Sequence, residues 1–147
     1  MTQDQGETRD AAGAVNTLRV EARSYEIDPY GHLNNAVYAN WLEHARLCFL
    51  SARGLTYLNI PERYGVWIVV VRTEINYRAQ VRLGDRLDVR TSLAAFGNSS
   101  FRFAQVIDFE NGPCAADAEV TMVCIDKEGN SAQMPQVLRA ALETAAT

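Results

Sequence analysis

The chain of 147 residues predicts an α+β domain in which a curved antiparallel sheet of five strands wraps around one long helix. Three observations carry that expectation. Helical periodicity is strong and sustained in only one stretch, from Ala36 to Arg53. One alternating apolar–polar segment precedes it and four follow, separated by turn residues. A sheet with one apolar face must cover that face, and a single helix is available to do so.

The elements follow in order. Residues 1–16 are polar, carry Asp4, Glu7, Arg9 and Asp10, and lack the apolar middle of a signal peptide. They read as a flexible tail before a single domain over residues 17–147. Thr17–Tyr25 sets Leu18, Val20 and Ala22 against Arg19, Glu21 and Arg23, the pattern of a half-buried strand. A polar junction comes next. From Ala36 the period changes, and Val37, Trp41, Ala45 and Cys48 form one helical stripe flanked by Tyr38, Leu42 and Phe49. Asn34 or Asn35 can cap this helix, and Gly54 can stop it. Everything after it reads as strand. Val66–Arg78 opens with an apolar run and then alternates; a Leu83-Gly84-Asp85 turn leads into Leu87, Val89, Thr91 and Leu93. Gly97-Asn98 and Asn111-Gly112 are hairpin signals on either side of Phe101–Phe109, and Ala116–Asp126 is the last strand. Four strands in a meander are therefore expected, followed by a short amphipathic helix over Val137–Leu142. A curved sheet around one helix is the architecture of the hotdog fold.

Composition narrows the function classes. A net charge of −4, with no basic stripe, disfavours a nucleic-acid partner. No apolar run nears the roughly 18 residues of a membrane span; Val66–Val71, the longest, suits a buried strand. Cys48, Cys114 and Cys124 are odd in number and widely spaced, so neither a disulfide framework nor a zinc pattern is present, and Cys48 and Cys124 read as buried core residues. His32 and His44 stand alone as imidazoles. No metal and no cofactor is expected, and the location expected is cytoplasmic.

The junction concentrates the chemistry. Asp28-Pro29-Tyr30-Gly31 is a good type I turn, with Asp first, Pro second and Gly last. One reading stops there: Asp28 caps the turn, Asn34 and Asn35 cap the helix, and His32 is a surface residue. The other begins from the helix N-terminus, whose first N–H groups have no partner within the helix and carry a partial positive charge. An acyl carbonyl placed there is polarised, and the oxyanion formed on attack is stabilised. Asp28, one loop upstream, can attack directly or deprotonate a water, and His32 with the asparagines can hydrogen-bond carbonyl, water or carboxylate. The set suits acyl transfer to water.

Asp28-x-x-Gly31-His32-x-Asn34-Asn35-x-x-Tyr38 resembles the signature of hotdog-fold acyl thioesterases of the 4-hydroxybenzoyl-CoA thioesterase group. The likeness is above all to bacterial long-chain acyl-CoA thioesterases and, at the His-x-Asn-Asn core, to plant acyl-ACP thioesterases. It continues through Trp41–Arg46, Val69–Arg78, Leu83–Asp85 and Ala116–Asp126. The resemblance implies that Asp28 is the catalytic carboxylate, as nucleophile or general base, that the Asn35 N–H polarises the thioester carbonyl, and that His32 takes part in catalysis. Tyr30 stands where the acyl-ACP members carry a catalytic asparagine, which favours the aspartate route. Asn34, Tyr30 and Tyr38 at the junction, with Gly65 and Trp67 at the start of the second strand, are the candidate substrate contacts. Gly97–Ser100 lacks the basic cluster that grips the CoA nucleotide in 4-hydroxybenzoyl-CoA thioesterase, so Arg72, Arg78 or Arg82 would hold it, unless the carrier is an acyl carrier protein.

The resemblance also implies a homo-oligomer, a dimer or a dimer of dimers, with each pocket shared between subunits. The reaction expected is hydrolysis of an acyl-CoA or acyl-ACP thioester. Two rival functions on the same fold are a hydratase or dehydratase acting on acyl thioesters and a non-catalytic thioester-binding module.

Overall fold

The structure is a computed structural model that describes residues 15–144. Most of the expected tail lies outside those residues; the first strand, β1, spans Val15–Glu21 and so begins two residues before the expected domain start. A single 3₁₀ turn over Ser24–Glu26 replaces the end of the strand expected to reach Tyr25. The long helix, α1, is Asn35–Ser51. A second helix, α2, covers Asn59–Tyr64, and four strands follow: β2 (Trp67–Tyr77), β3 (Arg86–Phe96), β4 (Ser100–Phe109) and β5 (Cys114–Ile125). The chain closes on α3, Gln136–Glu143.

All five strands form one antiparallel sheet in the order β1-β3-β4-β5-β2. Register shifts at Val70/Arg72, Leu93/Ala95 and Ile107/Asp108 mark bulges that increase twist and curl the sheet around α1. This is the hotdog arrangement expected, with two corrections. The strands after α1 are not a full meander. β3, β4 and β5 are joined by hairpins, but β2 pairs with β5 and leaves its other edge free. The physical reason lies in the connection from Arg78 to Asp85, which is too long for a tight hairpin and docks on the start of α1 instead. The second correction is α2, which the reading of everything after α1 as strand overlooked. Thr56 and Asn59 exchange side-chain-to-backbone hydrogen bonds of 2.8 and 2.9 Å, a reciprocal cap, and Gly65 ends the helix at φ +73°.

The inward positions of β3 and β4 are those that alternation predicts: Leu87, Val89, Thr91 and Leu93, then Phe101, Phe103, Gln105 and Ile107, are all buried. On α1 six of the seven residues expected on or beside the stripe, Val37, Tyr38, Trp41, Leu42, Ala45 and Phe49, are buried. Arg46 is inside and Cys48 only half-buried, although Cys124 is buried as expected. Leu42, Phe49 and Leu50 are at most 1% exposed, and each fully buried side chain of this size contributes about 1.5–3 kcal/mol. The apolar interior divides in two. One cluster joins the end of α1 to α2, α3, Phe101, Phe103 and Met122; the other joins the start of α1 to Val81, Leu87, Val89 and Ile107. Between them lies a polar layer, in which Arg46 donates to Gln105 at 3.1 Å and Gln105 donates to Thr91 and to the Leu42 carbonyl at 2.9 Å each.

Val66–Val71 is not the buried strand expected. Val66 and Ile68 are inside, but Val70 and Val71 are 45% and 58% exposed because β2 is an edge strand bulged at that point. Among the described residues no helix is long and apolar enough to cross a membrane.

Candidate active site

The loop from Ile27 to Leu33 closes on itself before α1 begins. Ile27 and Leu33 bridge, the Asp28 N–H donates to the His32 carbonyl at 2.8 Å, and the Gly31 N–H donates to the Asp28 carbonyl at 3.0 Å. The last of these bonds is the expected turn, with Gly31 at φ +86°, a conformation glycine adopts at little cost. The Asp28 side chain is held within it. Its Oδ1 accepts from the Tyr30 N–H at 2.9 Å and the His32 N–H at 3.1 Å, while Oδ2 has no hydrogen-bond partner among the described residues. One oxygen is thus anchored and the other is not.

Asn34 is the N-cap of α1. Its Oδ1 accepts from the Ala36 N–H at 3.0 Å and its carbonyl from the Val37 N–H at 2.9 Å. Asn34's own N–H donates to the Glu26 carbonyl at 2.8 Å. That leaves the Asn35 N–H, at the first helical position, without an acceptor among the described residues. This free donor lies at the positive end of the helix dipole.

The connection after β2 completes the site. The Leu33 N–H donates to the Val81 carbonyl at 2.7 Å, which draws residues 78–81 along the helix start. A cavity of about 460 Å³ results, bounded by Asp28, His32, Asn34, Asn35 and Tyr38 on one side and by Tyr77, Arg78 and Gln80 on the other. Tyr38 and Tyr77 meet edge-to-face at 5.0 Å between ring centroids. Burial pushes the Tyr38 phenol above its ordinary value, against a smaller opposing pull from a Val81 backbone hydrogen bond.

Residues 22–142 match the thioesterase-like superfamily. The chain belongs to that superfamily. It is 38% identical over 113 residues to the long-chain acyl-CoA thioesterase FadM of Escherichia coli, covering 74% of this chain and 81% of that one. It is 29% identical over 128 residues to the chloroplastic acyl-acyl carrier protein thioesterase ATL2 of Arabidopsis thaliana, covering 86% and 68% of the two chains. The crystal structure of YbaW, a probable thioesterase from Escherichia coli, shares the fold with a TM-score of 0.77 at 34% identity over 86% of this chain and 96% of that one. The protein is accordingly a thioester hydrolase.

Five of the eight site residues expected in this thioesterase, Asp28, His32, Asn34, Asn35 and Tyr38, line one cavity. The other three stand elsewhere. Tyr30 is 83% exposed on the turn, outside the cavity. Gly65 is the left-handed end of α2. Trp67 opens β2 and Tyr77 closes it, so the two are about 33 Å apart at ~3.3 Å per residue. Sequence reasoning missed Ala79 and Gln80, which line the cavity, because they lie in a segment with neither alternation nor a tight-turn signature. A larger cavity, of about 560 Å³, lies on the other flank of α1 between Asn40, Trp41, His44 and strand β1. It is lined by neither Asp28 nor Asn35. His44 and Cys48 are in contact, Nε2 to Sγ 3.8 Å, but neither reaches the Asp28 cavity. Among the described residues no group of three or more His, Cys, Asp or Glu side chains is arranged to hold a metal ion.

Proposed function

We propose that this thioester hydrolase cleaves acyl-CoA or acyl-carrier-protein thioesters in the Asp28 cavity. The observation that carries the reading is that a carboxylate oxygen with no partner and the one unfilled N–H of α1 border the same space. The thioester carbonyl accepts from Asn35, and its carbon faces Asp28. Charge that develops on the carbonyl oxygen is met by a donor fixed in the backbone, which needs no reorganisation as the bond to sulfur breaks. The anchored Oδ1 restricts the carboxylate to one orientation, so Oδ2 either attacks the carbon or takes a proton from the attacking water. His32 borders the same space and can hydrogen-bond the water or the departing thiolate.

Both kinds of carrier occur among the relatives, and the reading keeps both. It also includes a homodimer, alone or within a dimer of dimers. β2 offers an unpaired 11-residue edge with Val70, Val71 and Trp67 exposed along it, a liability in a monomer and a ready pairing surface for a second copy. Antiparallel pairing of two copies along this edge would bring the start of β2, with Gly65 and Trp67, toward the end of the partner's β2, where the cavity lies. All three cysteines are unpaired, in keeping with the cytoplasmic location we assign.

The test is a panel of acyl-CoAs and acyl carrier proteins assayed for free thiol. Thiol release by the wild type and its loss in Asp28→Asn support the reading. Dehydration of a 3-hydroxyacyl thioester without thiol release would move the protein to a different reaction, and release undiminished in Asp28→Asn would remove Asp28 from the chemistry.

A further inference from the structure

Two metal-binding donors stand together on the flank of α1 away from the Asp28 cavity. His44 and Cys48 are four residues apart, so one helical turn stacks their side chains on a single face. His44 is exposed, and Cys48 is half-buried with a free thiol. The His44 Nε2 lies 3.8 Å from the Cys48 Sγ. Zinc bonded to sulfur at ~2.3 Å and to nitrogen at ~2.0–2.1 Å, at a tetrahedral angle, sets those two atoms about 3.5 Å apart. At the separation found here the same bond lengths subtend an angle of about 120° at the metal, so a slight side-chain rotation completes the fit. The imidazole binds through the Nε2 lone pair with its proton on Nδ1, and the thiol releases its proton to solvent and binds as thiolate.

The surroundings admit a hydrated cation. His44 lines the cavity of about 560 Å³ between α1 and β1, together with Asn40 one turn earlier. Three arginines border the same cavity, and each has a partner: Arg19 pairs with Asp88 and Glu110, Arg86 with Glu21, and Arg23 donates to the Tyr25 hydroxyl. β1 and β2 are opposite edges of the sheet, so a second copy joined along β2 leaves this flank open. Neither of the other thiols has an imidazole beside it among the described residues. Cys124 is buried, and the Cys114 thiol donates to the Ala116 carbonyl at 3.3 Å.

From this geometry we infer that His44 and Cys48 form a two-donor site for a thiophilic divalent cation, zinc above all, with water in the remaining coordination positions. Thiolate and imidazole suit zinc, whereas calcium and magnesium take oxygen ligands. The site lies apart from Asp28 and does not depend on the hydrolysis reading. Its effect is on stability: the metal links two positions one turn apart on the exposed face of α1 and holds that turn closed.

Titration of the intact chain with zinc alone, and with cadmium alone as a spectroscopic probe, tests the site. A thiolate ligand gives cadmium an ultraviolet charge-transfer band that imidazole and carboxylate ligands do not, and one such metal per chain is expected. Loss of a partner behind a ligand costs about 10–100-fold in metal affinity, so loss of a ligand itself, in Cys48→Ser or in His44→Gln, should weaken zinc binding at least about tenfold. Cys114→Ser should bind as the wild type does. Cys48→His, which keeps two donors at the same spacing, should retain zinc but lose the cadmium band. Circular dichroism of the metal-free variants checks that each is folded. Zinc should raise the wild-type Tm, reversibly on chelation, and should leave the Tm of Cys48→Ser and His44→Gln where it was. Absence of the cadmium band in the wild type, or zinc affinity unchanged in Cys48→Ser, overturns the inference. Loss in Cys48→Ser with none in His44→Gln describes a single thiol and overturns it equally. Zinc that binds without moving the wild-type Tm removes the stabilising role.

Discussion

Replacement of Asp28 by Asn and by Ala separates the turn-capping role of this side chain from the catalytic role proposed for it. Asparagine keeps an Oδ1 that can accept from the Tyr30 and His32 N–H groups, now at 2.9 and 3.1 Å, so the turn survives. It converts the unpartnered Oδ2 into an amide nitrogen that can neither attack nor accept a proton. Alanine removes both oxygens and leaves two backbone donors to water. On that basis Asp28→Asn should melt within about 2 °C of the wild type, since it perturbs no buried contact. Asp28→Ala forfeits two hydrogen bonds worth about 1 kcal/mol each, hence roughly 5 °C in Tm for a domain of this size. Activity should not follow stability. Both variants lose the carboxylate, and kcat should fall about 10²–10⁴-fold in each, equivalent to roughly 2.7–5.4 kcal/mol of barrier. Steady-state thiol release and thermal melts of the three proteins make the comparison. If Asp28→Asn retains wild-type kcat while Asp28→Ala loses it in step with its Tm, the aspartate is a turn cap and nothing more.

Three further outcomes are expected. Gln105→Met strips the buried Arg46 guanidinium of its Gln105 acceptor, leaving Tyr57, and should cost about 3 kcal/mol in denaturant unfolding, whereas Arg46→Met combined with Gln105→Met should recover much of it; strict additivity of the two single changes would deny the coupling. The guanidinium of Arg78, then the amide of Asn76, hold the Asp117 carboxyl below its usual range. The stabilisation this pair contributes is therefore complete above about pH 4 and lost as pH falls through the depressed value, so Asp117→Asn should flatten the acid limb of Tm against pH, and an unaltered limb would exclude the pair from acid stability. Val71→Asp, at an exposed position in the middle of the free β2 edge, should leave the subunit folded by circular dichroism but shift its sedimentation from dimer to monomer; a dimer that persists would place the interface elsewhere.

Much of this architecture could be read along the chain because local rules govern it. Alternation alone placed the inward residues of β3 and β4, down to the polar pair Thr91 and Gln105. Turn chemistry placed Gly31, and capping chemistry placed the first residue of α1. The Asp28–Tyr38 segment folds back on itself within a dozen residues, so its donors and acceptors are neighbours in sequence before they are neighbours in space. That is why five of the eight expected site residues line one cavity.

Pairing between distant segments obeys no such local rule. Nothing in the composition of β2 reveals that it lies beside β5 rather than β3, because a strand's alternation specifies its faces and not its partner. Its apolar run was read as buried for the same reason; only the sheet order exposes it. The tertiary structure likewise decided that Arg46 goes inside, since a buried guanidinium needs acceptors, and Gln105, 59 residues away, is placed to receive it alongside Tyr57. It decided, too, that residues 78–81 form the far wall of the site, through a backbone bond from Leu33 to Val81 that no side chain encodes. The groups proposed to react were determined by short-range chemistry, and the enclosure around them by which strand the sheet left at its edge.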